Sequence, residues 1–307
     1  MGTVITAAAQ AAPQTGYAAA SSVQLAAQAA RQCLTDAGLT PDEVGVLINV
    51  GVYRESNMME PAMAALVQKE VGINLDYLAR PVPGAGFSFD LMNGACGVLN
   101  AVQVAQGILG TGGTSRILVT AADVHPGGRA DQDRNYPYAD LGAALLLERS
   151  VEPGSGFGPV RVRGADGPVG AAGYLDAAVM GTDGRREITV RRDPDWTERL
   201  LELAAGVVGD YVREEGVALD RTFVVCNEPA VGFGAELAER LGVDSAAVVA
   251  VGAEGRGEPH TAALVLGYLQ VLQSGLPEGY EEILFVCAGA GLSAACSRYR
   301  PAGAVRA

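Results

Sequence analysis

Hydrophobic residues alternate along the chain between short unbroken apolar runs and longer stretches with helical spacing. Unbroken runs are typical of buried strands, whereas apolar positions at i, i+3, i+4 and i+7 are typical of helices packed on one face. The predicted strands lie at 46–50, 87–91, 117–121, 141–148, 223–226, 248–251 and 283–287, and the predicted helices at 21–38, 61–71, 96–109, 195–215, 234–241 and 260–272. This alternation predicts an α/β layered fold with mostly parallel strands.

The second half of this pattern repeats the first. A segment rich in glycine, proline and charge follows residue 150, so we predict an N-terminal half at 1–150 and a C-terminal half at 151–307. A duplicated unit places equivalent helix starts around a pseudo-twofold axis. Cys96 opens a helix in the first half and His260 opens one in the second. We therefore predict that these two residues face each other at one site.

Cys96 lies in a context that favours reactivity. It follows a short strand and a turn of small residues, Gly94 and Ala95, and it precedes an apolar helix. Small residues allow a second group to approach the sulfur closely. A thiol at a helix start also faces unpaired N–H groups and the positive end of the helix dipole, which favour the thiolate. The alternative is a free cysteine that serves as a small core hydrophobe.

Composition and charge restrict the classes of partner. The net charge is −13, and Lys69 is the single lysine, which argues against nucleic acid or an anionic membrane surface as partner. No apolar run approaches the roughly 20 residues of a membrane span, and the N-terminus lacks the basic region of a signal peptide. The five cysteines are irregularly spaced and predict neither a disulfide framework nor a metal site, so we expect a cytoplasmic protein.

Several segments, in their order and spacing, resemble the thiolase superfamily and in particular its β-ketoacyl-acyl-carrier-protein synthase III branch. They are Ala-Gly-Leu-Thr-Pro-Asp-Glu-Val at 37–44, Ala-Ala-Leu-Val-Gln at 64–68, the turn at 90–97, Tyr-Ala-Asp-Leu-Gly-Ala-Ala at 138–144 and Cys-Ala-Gly-Ala-Gly-Leu at 287–292. The resemblance implies a duplicated αβαβα fold with two mixed, mostly parallel sheets around a pseudo-twofold axis, and a homodimer. It also implies that the cysteine takes an acyl group from a CoA or carrier-protein thioester and passes it to a second substrate, without a permanently bound cofactor.

The chain departs from the family pattern at two positions. Where the family has a histidine soon after the strand at 223–225, this chain has Asn227, next to Cys226. Where the family has an asparagine before the last helix, this chain has His260. The histidine and the amide are therefore exchanged in sequence. The cysteine also comes one residue later relative to Asp90 than in the family turn.

These observations assign the candidate site residues. Cys96 is the predicted acyl acceptor, His260 the base or oxyanion-stabilising group, and Asn227 an oriented amide that donates to an oxyanion. The backbone N–H of Cys96 and the loop Gly289, Ala290 and Gly291 are expected to form the oxyanion hole. Further candidates for lining the site are Cys226, Glu228, Glu258, His125 and Tyr138, and a pantetheine tunnel is expected beside Tyr53, Met58, Met59 and Tyr138.

Two functions follow from this pattern. The first is acyl transfer in fatty-acid or polyketide-type metabolism, in which the second substrate undergoes either carbon–carbon condensation or ester or amide formation. The donor is CoA or an acyl carrier protein, although the acidic surface offers no basic dock for an acidic carrier. The second is a catalytically inactive partner subunit that dimerises with an active, paralogous ketosynthase. Loss of the usual histidine favours this second function, and retention of Cys96 opposite His260 argues against it.

Overall fold

The structure, a computed structural model, describes residues 2–13, 21–74, 86–176, 178, 184–252, 257–289 and 291–302. The helices are α1 (Ser22–Asp36), α2 (Met63–Val71), α3 (Gly97–Thr111), α4 (Trp196–Glu215), α5 (Phe233–Leu241) and α6 (Ala263–Ser274). The strands are β1 (Thr3–Ala11), β2 (Val46–Asn49), β3 (Phe87–Asp90), β4 (Arg116–Asp123), β5 (Leu141–Arg149), β6 (Gly156–Phe157), β7 (Arg161–Gly164), β8 (Ala171–Tyr174), β9 (Thr189–Arg192), β10 (Thr222–Asn227), β11 (Val248–Val251), β12 (Glu282–Gly289) and β13 (Ser293–Arg300).

Two mixed sheets carry the same strand order. One sheet runs β3-β2-β4-β5-β1, and the other runs β11-β10-β12-β13-β6, with β7 also paired to β13. In each, the first three strands are parallel and the next pair is antiparallel. The first sheet is built from residues before position 150 and the second from residues after it. The duplicated α/β arrangement predicted from the sequence is confirmed.

Helices α3 and α6 lie between the two sheets, and the other helices cover the outer faces. Successive strand residues point to opposite faces of a sheet. Val119 and Val225 accordingly join the central core with α3 and α6, whereas Leu118 packs against α1 and α2 and Val224 packs against α4 and α5. This gives the five layers αβαβα. Within the described ranges, no helix is long and apolar enough to cross a bilayer.

Local signals account for the ends of the outer helices. Ser21 caps α1, and its hydroxyl accepts a hydrogen bond from the Gln24 backbone. Gly38 follows α1 with φ 67°, the left-handed conformation that is common just after a helix end. Gly72 and Gly242 end α2 and α5 in the same left-handed conformation. These stops orient the following chain back towards the sheets.

The turns that precede α3 and α6 have matching backbone shapes. Cys96 (φ −81°, ψ −9°) and Ala262 (φ −84°, ψ −12°) each cap their helix. Two positions earlier, Gly94 (φ 49°) and His260 (φ 47°) both have positive φ. The symmetry mate of Cys96 is therefore Ala262. The predicted pairing with His260 is offset by two residues, because Cys96 is the last residue of the 3₁₀ turn before α3 and His260 is the first residue of the 3₁₀ turn before α6. The two turns still lie against each other, with Cα atoms within 8 Å.

Candidate active site

His260 is the central side chain of the candidate site. Only 3% of it is exposed, and its Nδ1 lies 3.0 Å from Oδ2 of Asp123, at the end of β4. Its other ring nitrogen, Nε2, is buried and has no hydrogen-bond partner among the described residues. An unpaired buried polar atom costs about 1–3 kcal/mol, so its presence needs an explanation.

The Asp123 carboxylate is fully enclosed by donors. Oδ1 accepts hydrogen bonds from the backbone N–H groups of Val52 and Tyr53, both at 2.8 Å, and Oδ2 accepts from the backbone and the hydroxyl of Thr261. Burial opposes ionisation, but the interaction with His260 and the hydrogen bond from Thr261 outweigh it and hold the pKa of Asp123 below its usual value. Because Asp123 is an ionised acceptor, the neutral form of the His260 ring carries its hydrogen on Nδ1 and keeps a lone pair on Nε2.

Two tyrosine rings form the wall beside this imidazole. The ring of Tyr138 stacks on that of His260 with centroids 4.0 Å apart, and the Tyr53 ring lies 5.6 Å from it. Burial raises the pKa of both Tyr53 and Tyr138, so both phenols stay protonated. The predicted lining residue Tyr138 thus contacts His260, and both tyrosine rings beside the imidazole are neutral.

Glu258 lies near this wall but is already paired. Its carboxylate is 2.8 Å from the Arg192 guanidinium, which also donates to the carbonyl of Pro229 and lies 4.3 Å over the Trp196 ring. The backbone of Glu258 forms a β-bridge with Tyr138: its N–H donates to the Pro137 carbonyl, and its carbonyl accepts from the Ala139 N–H. It therefore links the two halves of the molecule, and its ion pair leaves it poorly suited to act as a base.

Asn227 has a structural role in the sheet rather than the predicted role of an oxyanion donor. Its Nδ2 donates to the Ala288 carbonyl at 2.8 Å, and its Oδ1 accepts from the Ala288 N–H at 2.9 Å. A further contact of 3.4 Å joins Nδ2 to Glu258. The side chain continues the pairing of β10 with β12, so its amide hydrogens are committed within the protein. This corrects the expectation of an amide free to donate to an oxyanion.

Cys96 is buried at the start of α3. Its sulfur lies 3.7 Å from the carbonyl oxygen of Cys287 and 3.6 Å from that of Ser293. Its backbone N–H donates to the Asn93 carbonyl at 3.0 Å, which corrects the expectation that this N–H is free for an oxyanion. The thiol therefore faces the hairpin between β12 and β13.

The glycine loop approaches this same turn. A Cβ on Gly289 would lie 3.1 Å from the Ala95 Cβ and 3.5 Å from the Ala95 nitrogen, so the absence of a side chain allows this close approach. Gly291 has φ 70°, and Ala290 lies outside the described residues. The loop is thus next to the residue that precedes Cys96.

His125 is a structural residue. Its Nε2 lies 3.0 Å from Asp133, while Nδ1 accepts hydrogen bonds from the backbone N–H groups of Gly127 and Arg129. Both ring nitrogens are used to hold the loop that follows β4. This corrects the expectation that His125 lines the site.

Two other predicted lining residues also lie elsewhere. Cys226 packs in the outer core against α4 and α5, where burial raises its pKa to about 12. Glu228 accepts a hydrogen bond from the backbone N–H of Gly232, just before α5. Both point to the outer layer because β10 alternates its side chains between two faces.

Sequence reasoning missed Asp123 and Thr261 as site residues. The available signal was a carboxylate at the end of a buried apolar strand, which is an unusual place for an unpaired charge. Arg192 was missed because it lies on a short strand within the segment of mixed composition that follows residue 150.

The layered fold and the adjacent helix starts correspond to a thiolase-like fold, and comparisons with known proteins agree. The chain is a homologue of the β-ketoacyl-acyl-carrier-protein synthase III proteins, which confirms the resemblance seen in the sequence. It is 27% identical to the Streptomyces lividans protein of that name over 283 residues, covering 86% of this chain and 76% of the relative. It is 26% identical to the Rubrobacter xylanophilus one over 296 residues, covering 91% and 83%. No protein-family model matches the chain.

Solved structures share the fold at low sequence identity. The tetronic acid condensing enzyme AbyA1 superposes with a TM-score of 0.77 at 19% identity, covering 98% of this chain and 100% of that one. Xanthomonas campestris OleA, solved with lauric acid and lauroyl-CoA, gives 0.73 at 17% identity, covering 98% and 99%. The Aquifex aeolicus 3-oxoacyl-acyl-carrier-protein synthase III gives 0.73 at 17% identity, covering 97% and 100%.

Proposed function

We propose that this protein is an acyltransferase that takes an acyl group from a CoA or carrier-protein thioester onto Cys96 and transfers it to a second substrate. The homologues are named β-ketoacyl-acyl-carrier-protein synthase III, one structural neighbour is named a condensing enzyme, and another was solved with an acyl-CoA. The observation that carries the assignment to this site is the meeting of the Cys96 turn, the His260 turn and Gly289 at one place.

In the first half-reaction the Cys96 sulfur bonds to the acyl carbon, and the carbon–sulfur bond of the donor breaks. The attacking species is the thiolate, so the S–H proton passes to a base, and the pantetheine sulfur takes up a proton as it leaves. The turn that contains His260 lies next to the Cys96 turn, and Nε2 of His260 has no hydrogen-bond partner among the described residues. Backbone N–H groups near the start of α3, beside Gly289, supply the positive potential that an oxyanion needs.

In the second half-reaction the acyl group leaves Cys96 for a nucleophile of the second substrate. We propose that this occurs beside His260, under the wall formed by Tyr53 and Tyr138. Burial of this region excludes water, which protects an acyl-enzyme from hydrolysis.

Intact-mass measurement tests the proposal. The purified protein is incubated with a panel of acyl-CoA and acyl-carrier thioesters, and the mass is compared for wild type, Cys96→Ala and Cys226→Ala. Cys226 is a matched control because it is equally buried but lies in the outer core. We expect an acyl adduct on wild type and Cys226→Ala and none on Cys96→Ala. Absence of an adduct with every donor would refute the enzyme proposal, and an adduct that survives Cys96→Ala would refute the assignment of the nucleophile.

We further propose that the protein works as a homodimer in the cytoplasm and that its acyl donor is carried on a phosphopantetheine arm. Light scattering after gel filtration measures the dimer directly. An inactive protein that forms a stable heterodimer with an active ketosynthase would instead support the partner-subunit function.

A further inference from the structure

We infer that His260 is a general base held in its working tautomer by Asp123, and that the second substrate is a hydroxyl compound. The inference rests on the proposed acyl transfer and specifies its acceptor. Asp123 does not touch the substrate in this scheme, so it is a positioning residue. Two features carry the inference: the direction of the hydrogen bonds around Asp123, and the unpartnered Nε2 of His260.

The carboxylate of Asp123 fixes which nitrogen of His260 can accept a proton. Its two oxygens accept hydrogen bonds from Val52, Tyr53 and Thr261 as well as from Nδ1 of His260. The backbone donors hold the carboxylate in place, and the Thr261 hydroxyl holds the oxygen that faces the ring. In its neutral form, His260 consequently presents a lone pair, rather than a hydrogen, at Nε2.

His125 provides an internal comparison. It also lies 3.0 Å from a carboxylate, that of Asp133, but through Nε2, and its Nδ1 is occupied by two backbone donors. Every polar atom of that ring is used structurally. His260 differs in that its carboxylate partner leaves one nitrogen unused, and this is the arrangement that a base requires.

The surroundings favour a neutral acceptor with an acidic hydrogen. An ammonium group would need a carboxylate, but of the two carboxylates described beside His260, Asp123 has its oxygens occupied and Glu258 is paired with Arg192. An enolate oxygen would need a hydrogen-bond donor, whereas Nε2 presents a lone pair. A hydroxyl group meets both conditions, because it is uncharged and gives its hydrogen to Nε2.

The resulting step is balanced. The hydroxyl oxygen bonds to the acyl carbon while its proton moves to Nε2 of His260, whose positive charge is stabilised by Asp123. The carbon–sulfur bond to Cys96 then breaks, and the proton passes from Nε2 to the leaving sulfur. The products are an ester and the free enzyme.

The tautomer can be measured without knowing the substrate. The chain has two histidines, so long-range ¹H–¹⁵N spectra of histidine-labelled protein in alkaline buffer contain two ring systems. We expect opposite tautomers, with the hydrogen on Nδ1 of His260 and on Nε2 of His125. Asp123→Asn, which presents an amide hydrogen to Nδ1, should move the His260 hydrogen to Nε2, whereas Asp133→Asn should leave His260 unchanged. A hydrogen on Nε2 of His260 in the wild type would overturn the inference.

Deacylation kinetics test the acceptor class separately from the proposed function. The Cys96 adduct is formed first, and its loss is followed by mass after addition of ethanol, 1-butanol, benzyl alcohol or malonyl-CoA. We expect alcohols to accelerate adduct loss and yield esters, with a decrease of at least about 100-fold in Asp123→Asn, the scale of general-base catalysis, and no comparable decrease in Asp133→Asn. An adduct that is discharged by malonyl-CoA and not by alcohols would overturn the hydroxyl acceptor while preserving the acyltransferase. Equal rates in the two variants would overturn the positioning role of Asp123.

A variant with a smaller effect on folding supports the same test. Thr261→Val removes the hydroxyl that holds Asp123, and Thr261→Ser restores it. We expect the alcohol-dependent rate to fall in Thr261→Val and to recover in Thr261→Ser; equal rates in the two would count against the network.

Discussion

Removing the Asn227 side chain should weaken the fold strongly. In Asn227→Ala the N–H and the carbonyl of Ala288 both lose their partner, and both lie in a fully buried strand. An unsatisfied buried polar group costs about 1–3 kcal/mol, so two of them predict a loss of about 2–6 kcal/mol in the free energy of unfolding.

Urea unfolding at one fixed protein concentration measures this loss, because association would otherwise shift the midpoint. Gln106→Ala is a matched control. The Gln106 amide likewise has two backbone partners, because it donates to the carbonyls of Phe157 and Gly158, but it lies in a half-buried position where water can replace it. We expect the control to lose about 1 kcal/mol or less. A loss in Asn227→Ala no larger than in Gln106→Ala would refute the structural role and return Asn227 to the list of oxyanion donors.

Three further measurements test the site. Alkylation of Cys96 by iodoacetamide near neutral pH should slow in His260→Ala if His260 accepts the thiol proton; an unchanged rate would confine His260 to the second half-reaction. The pKa of Asp123 in the folded protein lies below its usual value of 3.8. The stabilisation from its ionised form is therefore complete above that value and is lost as the pH falls through and below it. Acid unfolding curves of wild type and Asp123→Asn should converge below about pH 4, and parallel curves would contradict this. Arg192→Met leaves the carboxylate of Glu258 buried without its ion-pair partner, which should lower the free energy of unfolding by roughly 3 kcal/mol. Adding Glu258→Gln should restore much of that free energy. Additive losses in the double variant would show that the two residues are not coupled.

The fold could be predicted because its signals are local and repeated. Apolar runs such as 46–50 and 283–287 identify strands without reference to the rest of the chain, and the duplication supplies their order. The register of the two helix starts could not be predicted, because a 3₁₀ turn and a helix have similar apolar spacing over one turn. Only the backbone angles of Gly94 and His260 reveal the offset.

The site was harder to predict because its partners are distant in sequence. His260 was found because it lies directly before an apolar helix, but Asp123 lies 137 residues before it, and no spacing rule joins them. Asn227 was found as a polar residue at a strand end, yet its partners are backbone groups of Ala288, which any sequence would supply. Residue types indicate which segments carry polar groups. Packing determines which of those polar atoms have no partner within the protein and can act on a substrate.

The positive φ of His260 restricts which residues can occupy that position. Among residues other than glycine, asparagine, aspartate and histidine adopt this backbone conformation most readily, and these three present a hydrogen-bond donor, a carboxylate and an imidazole. A single substitution there can therefore change the chemistry offered to the acceptor while the turn before α6 keeps its shape. Related proteins could in this way evolve different acyl-transfer reactions on an unchanged scaffold, and comparing His260→Asn with His260→Ala in one background would separate the backbone requirement from the chemical one.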